Sequence, residues 1–160
     1  MKTTIGSIGL GNIGEPMALN LIQSGYSVVG FDVVEKPAFV AAGGFQAKSV
    51  TEVSEKTEVI VQSLPTVQAL EKTVDNLIEF GRSGQIIIEI SSYPLKNKQL
   101  QASRLAEHGI TMLDCEISGL PFMVADRTAT IFQSGDQATI ESVQEIFEAM
   151  TNKRVNLGKF

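Results

Sequence analysis

Gly9-Leu10-Gly11-Asn12-Ile13-Gly14 is the stretch of this chain that most constrains its fold, because its glycines follow the spacing G-x-G-x-x-G. The apolar run before it, residues 3–8, predicts a strand. The pattern after it, residues 13–24 with Gly25 as the stop, predicts a helix. This spacing is typical of a dinucleotide-binding turn when it joins a strand to a helix, and the alternative is a plain glycine-rich turn.

Each glycine of this turn has its own physical role. Gly9 permits the tight turn, Gly11 leaves no side chain between the backbone and a pyrophosphate, and Gly14 lets the helix pack closely on the strand. The amides near Asn12 and Ile13 would then point at the phosphates, helped by the helix dipole. We therefore expect the pyrophosphate of a dinucleotide to be bound by the whole turn, Gly9, Leu10, Gly11, Asn12, Ile13 and Gly14.

An acidic residue follows at the distance that such a turn requires. Asp32 ends the second predicted strand, residues 28–31, about 20 residues beyond the glycines. Its carboxylate can accept hydrogen bonds from both hydroxyls of the adenosine ribose, whereas it would repel a 2′-phosphate. No arginine follows it, and Lys36 is expected to face solvent, so these residues favour NAD over NADP. The alternative is an aspartate that only caps a helix or shapes a turn.

Strand and helix patterns alternate along the rest of the chain. Further strands are predicted at residues 59–63, 86–90, 112–114, 128–133 and 154–156, and further helices at 36–42, 51–56, 66–77, 95–108 and 137–150. This alternation predicts the α/β class, with a Rossmann-type doubly wound, mostly parallel sheet and extra C-terminal strands. We expect residues 1–160 to form one dinucleotide-binding domain, with the nucleotide-binding part over residues 1 to about 115.

Composition excludes several other classes of protein. The net charge of −5 argues against nucleic acid as a partner, because binding phosphate backbones calls for a basic surface. The single cysteine, Cys115, cannot form an internal disulfide, which favours a reducing, cytoplasmic location. The N-terminus lacks the pattern of a signal peptide, and the apolar runs are too short to span a membrane. No cluster of metal ligands is present, so no metal is predicted.

The remaining reactive side chains have ordinary interpretations. His108 lies in the last turn of a predicted helix, where the dipole favours a cation, so we expect it to be exposed to solvent. Cys115 is expected to be a small buried residue of the core. Asp114 is expected to fix the loop that follows it by hydrogen bonds to the backbone.

Four segments resemble the β-hydroxyacid dehydrogenases, the family of 3-hydroxyisobutyrate dehydrogenase, tartronate semialdehyde reductase and 6-phosphogluconate dehydrogenase. Pro16-Met17-Ala18 continues the glycine turn as it does in that family. Ser63-Leu64-Pro65 resembles its Met-Leu-Pro turn, and Glu89-Ile90-Ser91-Ser92 resembles its Asp-x-Ser-Ser/Thr segment. Asp114-Cys115-Glu116-Ile117-Ser118-Gly119 is similar to its Asp-Ala-Pro-Val-Ser-Gly segment. The resemblance covers essentially the whole chain, but only the cofactor-binding half of such an enzyme.

The resemblance implies an NAD(P)-dependent oxidoreductase that transfers a hydride between a β-hydroxyacid and the nicotinamide. It implies that Leu64 and Pro65 border the cofactor, that Ser92 reaches the nicotinamide ribose, and that Ser118 and Gly119 hold the substrate carboxylate. It also implies a second, all-helical domain that builds a homo-oligomer and carries the catalytic lysine. That lysine is expected beyond Phe160, so no catalytic residue is assigned within this chain.

The chain departs from the family in its substrate loop. Leu120, Met123 and Arg127 stand where the family has glycine, which leaves the identity of the hydroxyacid open. Arg127 is a candidate to pair with an acidic group of the substrate through a bidentate contact, and the alternative is a solvated surface arginine. The altered loop and the missing lysine keep a second function open, a non-catalytic NAD-binding module without dehydrogenase activity.

Overall fold

Parallel strands joined by helices make up most of the chain. The computed structural model describes residues 2–160, and their strands form one nine-stranded sheet. The strands are β1 (Thr4–Ile8), β2 (Ser27–Phe31), β3 (Phe45–Gln46), β4 (Val59–Gln62), β5 (Ile86–Glu89), β6 (Thr111–Asp114), β7 (Ile117–Ser118), β8 (Thr130–Ser134) and β9 (Lys153–Gly158).

Helices connect these strands and cover the sheet. They are α1 (Gly14–Gln23), α2 (Pro37–Ala41), α3 (Val50–Lys56), α4 (Val67–Phe80), α5 (Leu95–Ala106), α6 (Pro121–Ala125), α7 (Gln137–Ser142) and α8 (Gln144–Met150). Even α4, at 14 residues, is too short to cross a bilayer, and no helix within residues 2–160 combines the length and apolar character that a membrane span needs.

The strand order is β3-β2-β1-β4-β5-β6-β8-β7, and β9 lies on the free side of β8. Strands β1 to β6 pair in parallel, whereas β8 runs antiparallel to β6 and β7. The chain leaves β1 toward β2 on one side and later resumes at β4 on the other, so the strand order reverses at β1. A Rossmann-type, mostly parallel sheet with extra C-terminal strands is therefore confirmed.

Two apolar cores, one on each face of the sheet, hold the helices in place. Neighbouring residues of a strand alternate between them: Val28 belongs to one core and Val29 to the other, and Ile88 and Ile87 divide in the same way. This explains why residues 59–61 of β4 and 86–88 of β5 are apolar at every position rather than at every second one, whereas β1 also carries Gly6 and Ser7.

One local prediction was wrong, and three short elements were missed. The helix predicted over residues 137–150 is broken at Val143 (φ −112°, ψ 18°) into α7 and α8. Next to the break, Ser142 donates from its hydroxyl to the carbonyl of Thr139, a local hydrogen bond of the kind that bends helices. The two-residue strands β3 and β7 and the single-turn helix α6 were not predicted, because such short elements show no periodicity.

Candidate dinucleotide-binding site

A cleft of about 610 Å³ opens at the carboxyl ends of β1, β2 and β4, where the strand order reverses. Ligands of open α/β sheets bind at this position, because the loops after neighbouring strands diverge there. The predicted residues that line the cleft are Gly9, Gly11, Asn12, Ile13, Asp32, Leu64 and Pro65. The fold thus brings the glycine turn, the acid and the Leu-Pro segment together in one cavity.

Two of the three glycines of the turn are required by packing, and the third is not. Gly9 has a φ of +84°, and a Cβ there would overlap the carbonyl oxygen of Ser63. A Cβ on Gly14 would overlap the carbonyl oxygen of Gly9, so this glycine allows α1 to pack closely against the turn. A Cβ on Gly11 would meet nothing within 4 Å. The protein itself gives no reason for glycine at Gly11, whose free space opens into the cleft.

Backbone amides at the start of α1 are available to a ligand. The helix begins with hydrogen bonds from Glu15 to the Gly11 carbonyl and from Met17 to the Ile13 carbonyl. Among residues 2–160, no group accepts from the amides of Asn12 or Ile13, and no side chain caps this helix end. Free N–H groups and the positive end of the helix dipole together suit an anion such as a diphosphate.

Asp32 holds the glycine turn and also faces the cleft. Its carboxylate accepts hydrogen bonds from the Leu10 amide (Oδ2···N 2.7 Å) and the Val34 amide (Oδ1···N 3.1 Å). Each oxygen keeps a further lone pair for hydroxyl donors. The expectation that Lys36 faces solvent was wrong, because its Nζ lies 3.8 Å from Asp32 Oδ2 and its side chain is only 17% exposed.

Leu64 and Pro65, which follow β4, line the side of the cleft opposite Asp32, and we call these two residues the cleft wall. Both backbone polar groups of Leu64 are hydrogen-bonded by side chains. Its amide donates to the Ser91 hydroxyl (2.9 Å), and its carbonyl accepts from the Tyr93 hydroxyl (2.5 Å). Burial raises the pKa of Tyr93 to about 12, which keeps its hydroxyl protonated as a donor. Sequence reasoning gave no role to Ser91 or Tyr93, although Ser91 lies in a segment that the family resemblance singled out.

A buried polar row lies beneath this wall. Gln62, Glu89 and Asp114 are neighbours in register at the ends of β4, β5 and β6. Glu89 is fully buried; its Oε1 accepts from the Ser91 amide at 2.6 Å, and its Oε2 contacts the Gln62 side-chain nitrogen. Burial raises the pKa of Glu89 to about 7, against the opposing effect of these hydrogen bonds.

Asp114 does not fix its loop in the predicted way. Its Oδ1 accepts from Lys98 Nζ at 2.5 Å, and the Lys98 side chain, on α5, is completely buried. The prediction that Asp114 bonds the backbone of the loop was therefore wrong. Lys98 was missed because it lies in a polar stretch of α5 whose sequence resembles a solvated helix face.

Ser92 lies outside the cleft lining and turns toward the candidate substrate segment. Its exposed hydroxyl donates to Glu116 Oε1 at 2.8 Å. Ser118, in β7, is also exposed, and it pairs in register with Thr130 of β8. A Cβ on Gly119 would lie 2.6 Å from the side chain of Ala129, the residue before β8, so packing against Ala129 requires glycine there.

Arg127 occupies the far end of α1 from the glycine turn. Its Nη2 donates to the Asn20 carbonyl and the Ser24 hydroxyl, each at 3.0 Å, and so caps the last turn of that helix. Since α1 has 10 residues, its two ends are roughly 15 Å apart. The guanidinium does not extend freely into solvent, so the alternative of a solvated surface arginine was wrong, while its pairing with an acidic group of the substrate stays a prediction.

Other reactive side chains behave as predicted. His108 is exposed in the turn after α5, and Cys115 is a fully buried free thiol whose pKa is raised by burial, which makes it unreactive. Within the described range 2–160, no group of three metal-ligating side chains comes together.

A parallel sheet whose glycine turn opens a helix beside an acid and a cleft defines a dinucleotide-binding domain of the Rossmann type. Residues 4–158 match the family described as the NAD binding domain of 6-phosphogluconate dehydrogenase. The chain belongs to this family of NAD-binding domains, found in the β-hydroxyacid dehydrogenases, and the resemblance seen in the sequence is confirmed.

Named relatives agree with this assignment. The NAD-dependent L-serine dehydrogenase of Pseudomonas aeruginosa is 34% identical over 96% of this chain and 53% of its own length. The mitochondrial 3-hydroxyisobutyrate dehydrogenase of Mus musculus is 31% identical over 98% and 48%. The structure of Mycobacterium tuberculosis 3-hydroxyisobutyrate dehydrogenase with L-serine superposes with a TM-score of 0.93 at 28% identity, covering 99% of this chain and 55% of that one. The chain thus spans about half the length of these relatives.

Proposed function

We propose that this chain is the cofactor-binding half of an NAD-dependent dehydrogenase that oxidises a β-hydroxyacid reversibly. The observation that carries the proposal is Gly11, where the missing side chain serves no packing purpose and opens space beside the free amides of Asn12 and Ile13. A dinucleotide pyrophosphate has the charge and the size for this space.

The residues on the two sides of the glycine turn are proposed to bind different parts of the dinucleotide. The amides of the glycine turn hold the pyrophosphate, and Asp32 accepts the hydroxyls of the adenosine ribose. The cleft wall (Leu64 and Pro65) borders the other half of the cofactor, and Ser92 is assigned to the nicotinamide ribose. When bound, the nicotinamide supplies the hydride chemistry; the residues of this chain bind it, orient it and shield it.

NAD is favoured over NADP by the charges at the end of β2. Asp32 places a carboxylate where a 2′-phosphate would have to lie, and the next residues, Val33 and Val34, are exposed and uncharged. Among the described residues, Lys36 is the cation that lies within 4.0 Å of the Asp32 carboxylate, at 3.8 Å, and it balances that charge; Lys48 and Lys72 also line the cleft.

The remaining parts of the activity extend beyond this domain. Ser118 and Gly119 are proposed to hold the substrate carboxylate, and the relatives' names support a β-hydroxyacid such as L-serine or 3-hydroxyisobutyrate. We assign the catalytic lysine and a homo-oligomer interface to an all-helical domain outside residues 1–160. Glu89, whose pKa lies near neutral, is fully buried and cannot exchange a proton with substrate. The proposed location is cytoplasmic, since a chain with the single cysteine Cys115 uses no internal disulfide.

Calorimetric titration of this chain with NAD and with NADP tests the cofactor proposal. We expect NAD to bind the tighter of the two, and an absence of NAD binding at millimolar concentration would refute the proposal. A second assay follows NADH formation by the chain joined to the helical domain, with L-serine and 3-hydroxyisobutyrate as substrates. NAD binding without turnover of any β-hydroxyacid would instead support the non-catalytic module.

A further inference from the structure

The two sides of the cleft belong to different strands. Asp32 follows β2 and the cleft wall follows β4, and these strands flank β1 on opposite sides. A dinucleotide lying across the glycine turn with its adenosine at Asp32 therefore places its nicotinamide half against Leu64 and Pro65. This step rests on the proposed function.

Leu64 owes its position to side chains that do not line the cleft. Ser91 and Tyr93 follow β5, and their hydroxyls satisfy the amide and the carbonyl of the same residue, Leu64. The Tyr93 ring and the Leu64 side chain also pack against the same apolar core. Both polar groups of the Leu64 backbone are thereby fixed relative to the sheet.

Ser91 is itself held from below by a buried carboxylate. Its backbone amide donates to Glu89 Oε1 at 2.6 Å while its hydroxyl accepts from Leu64, so a continuous chain of contacts runs from β5 to the wall. Lys98, the nearby buried cation, is paired with Asp114 at 2.5 Å. The hydrogen-bond partners of Glu89 are therefore Ser91, through its backbone and its side chain, and the side chain of Gln62.

We propose that Ser91 and Tyr93 are positioning residues for the nicotinamide half of the dinucleotide, acting through the backbone of Leu64. Neither touches the cofactor. Their hydroxyls hold the wall in its binding geometry before the ligand arrives, so the wall need not be ordered on binding. Glu89 supports the arrangement by holding the amide of Ser91.

The test compares NAD with ADP-ribose, which has the adenosine and pyrophosphate but no nicotinamide. We expect Tyr93→Phe and Ser91→Ala each to weaken NAD about three- to ten-fold, the range for one lost hydrogen bond, with ADP-ribose changed less than two-fold. Ser91→Thr keeps a hydroxyl and should restore most of the NAD affinity. Tyr26→Phe is the matched control, because it makes the same chemical change at a buried tyrosine outside the cleft lining.

Calorimetry gives the affinities, and thermal melting verifies that each variant is folded. Equal losses of NAD and ADP-ribose in Tyr93→Phe, or unchanged NAD affinity in both Tyr93→Phe and Ser91→Ala, would overturn the inference. If Ser91→Ala does not fold, Tyr93→Phe, which removes one oxygen and keeps the ring, decides the matter. If the wild-type chain binds ADP-ribose and NAD with equal affinity, the inference about Ser91 and Tyr93 is wrong but the proposed function stands. If the wild-type chain binds neither ligand, the proposed function is wrong as well.

Discussion

The carboxylate of Asp32 accepts a hydrogen bond from the backbone amide of Leu10, with 2.7 Å between Oδ2 and N. This contact joins the end of β2 to the glycine turn after β1. The residue proposed to bind the adenosine ribose therefore also fixes the turn proposed to bind the pyrophosphate. A substitution at Asp32 should therefore weaken the binding of both the adenosine ribose and the pyrophosphate. The size of the loss should differ between NAD and NADP, because only NADP carries a 2′-phosphate on that ribose.

Asp32→Ala should weaken NAD at least ten-fold and NADP clearly less. The substitution removes the acceptor for the ribose hydroxyls, which lowers the affinity for both cofactors. It also removes the repulsion of a 2′-phosphate, which offsets part of the loss for NADP. The lost hydrogen bonds to Leu10 and Val34 should lower the free energy of unfolding by about 1 kcal/mol. Calorimetric titration with each cofactor measures the ratio, and equal losses would contradict the proposed role of Asp32.

Gly11→Val should abolish NAD binding without unfolding the chain. The new side chain meets no protein atom near its Cβ, so the free energy of unfolding should change by less than about 1 kcal/mol, but it fills the space proposed for the pyrophosphate. Thermal melting and calorimetry measure the two effects. Gly9→Ala is the contrasting variant, since the φ of +84° and the overlap with Ser63 should make it clearly less stable. Unchanged NAD affinity in Gly11→Val would remove the main support for the site.

The stability of the chain should fall as the pH rises from about 4.5 to about 7. Glu89 has a pKa of about 7 in the folded chain and an ordinary value of 4.5 when exposed, so the folded chain holds this proton more tightly than the unfolded chain does. The contribution of Glu89 to the free energy of unfolding is fully present below pH 4.5 and is lost as the pH rises through about 7. Its size is on the order of 3 kcal/mol. Urea denaturation at a series of pH values measures this slope.

Glu89→Gln should flatten the pH dependence over that window. The neutral amide keeps an oxygen for the Ser91 amide, and Gln62 can turn its side-chain amide to offer Oε1, which has no hydrogen-bond partner among the described residues. Glu107→Gln is the matched control, because it alters an exposed carboxylate at the end of α5 and should leave the wild-type profile unchanged. A Glu89→Gln profile identical to wild type would show that another group titrates there.

Arg127→Ala should lower stability and leave NAD affinity unchanged. It removes the two hydrogen bonds at the end of α1, at a cost of about 1 kcal/mol, far from the cleft. Arg127 has a φ of +58°, so Arg127→Gly loses the same bonds but relieves the backbone, and it should be more stable than Arg127→Ala. Urea denaturation of the two variants gives the difference. A loss of NAD affinity in Arg127→Ala would contradict the structural role.

Elements with a strong local pattern were predictable. The strand, the glycine turn and α1 follow from spacing that operates within about twenty residues, and Asp32 follows from its position at the end of the next strand. The break at Val143 was not predictable, because Ile140, Val143 and Ile146 keep the apolar spacing of a continuous helix across it. The spacing of apolar residues indicates which face of a helix is buried, but it does not indicate whether the helix axis bends.

The composition and order of residues were sufficient for the parallel α/β fold, the glycine turn and the acid beside it, since each depends on backbone conformation and on neighbours close in the chain. Folding in three dimensions was needed to join Ser91 to Leu64, 27 residues away, and Arg127 to Asn20, 107 residues away. It also buried Lys98 against Asp114 and left Glu89 without a cation of its own. These contacts arise from strand register and helix docking, in which every apolar residue of the core takes part. They therefore cannot be predicted from any short stretch of sequence.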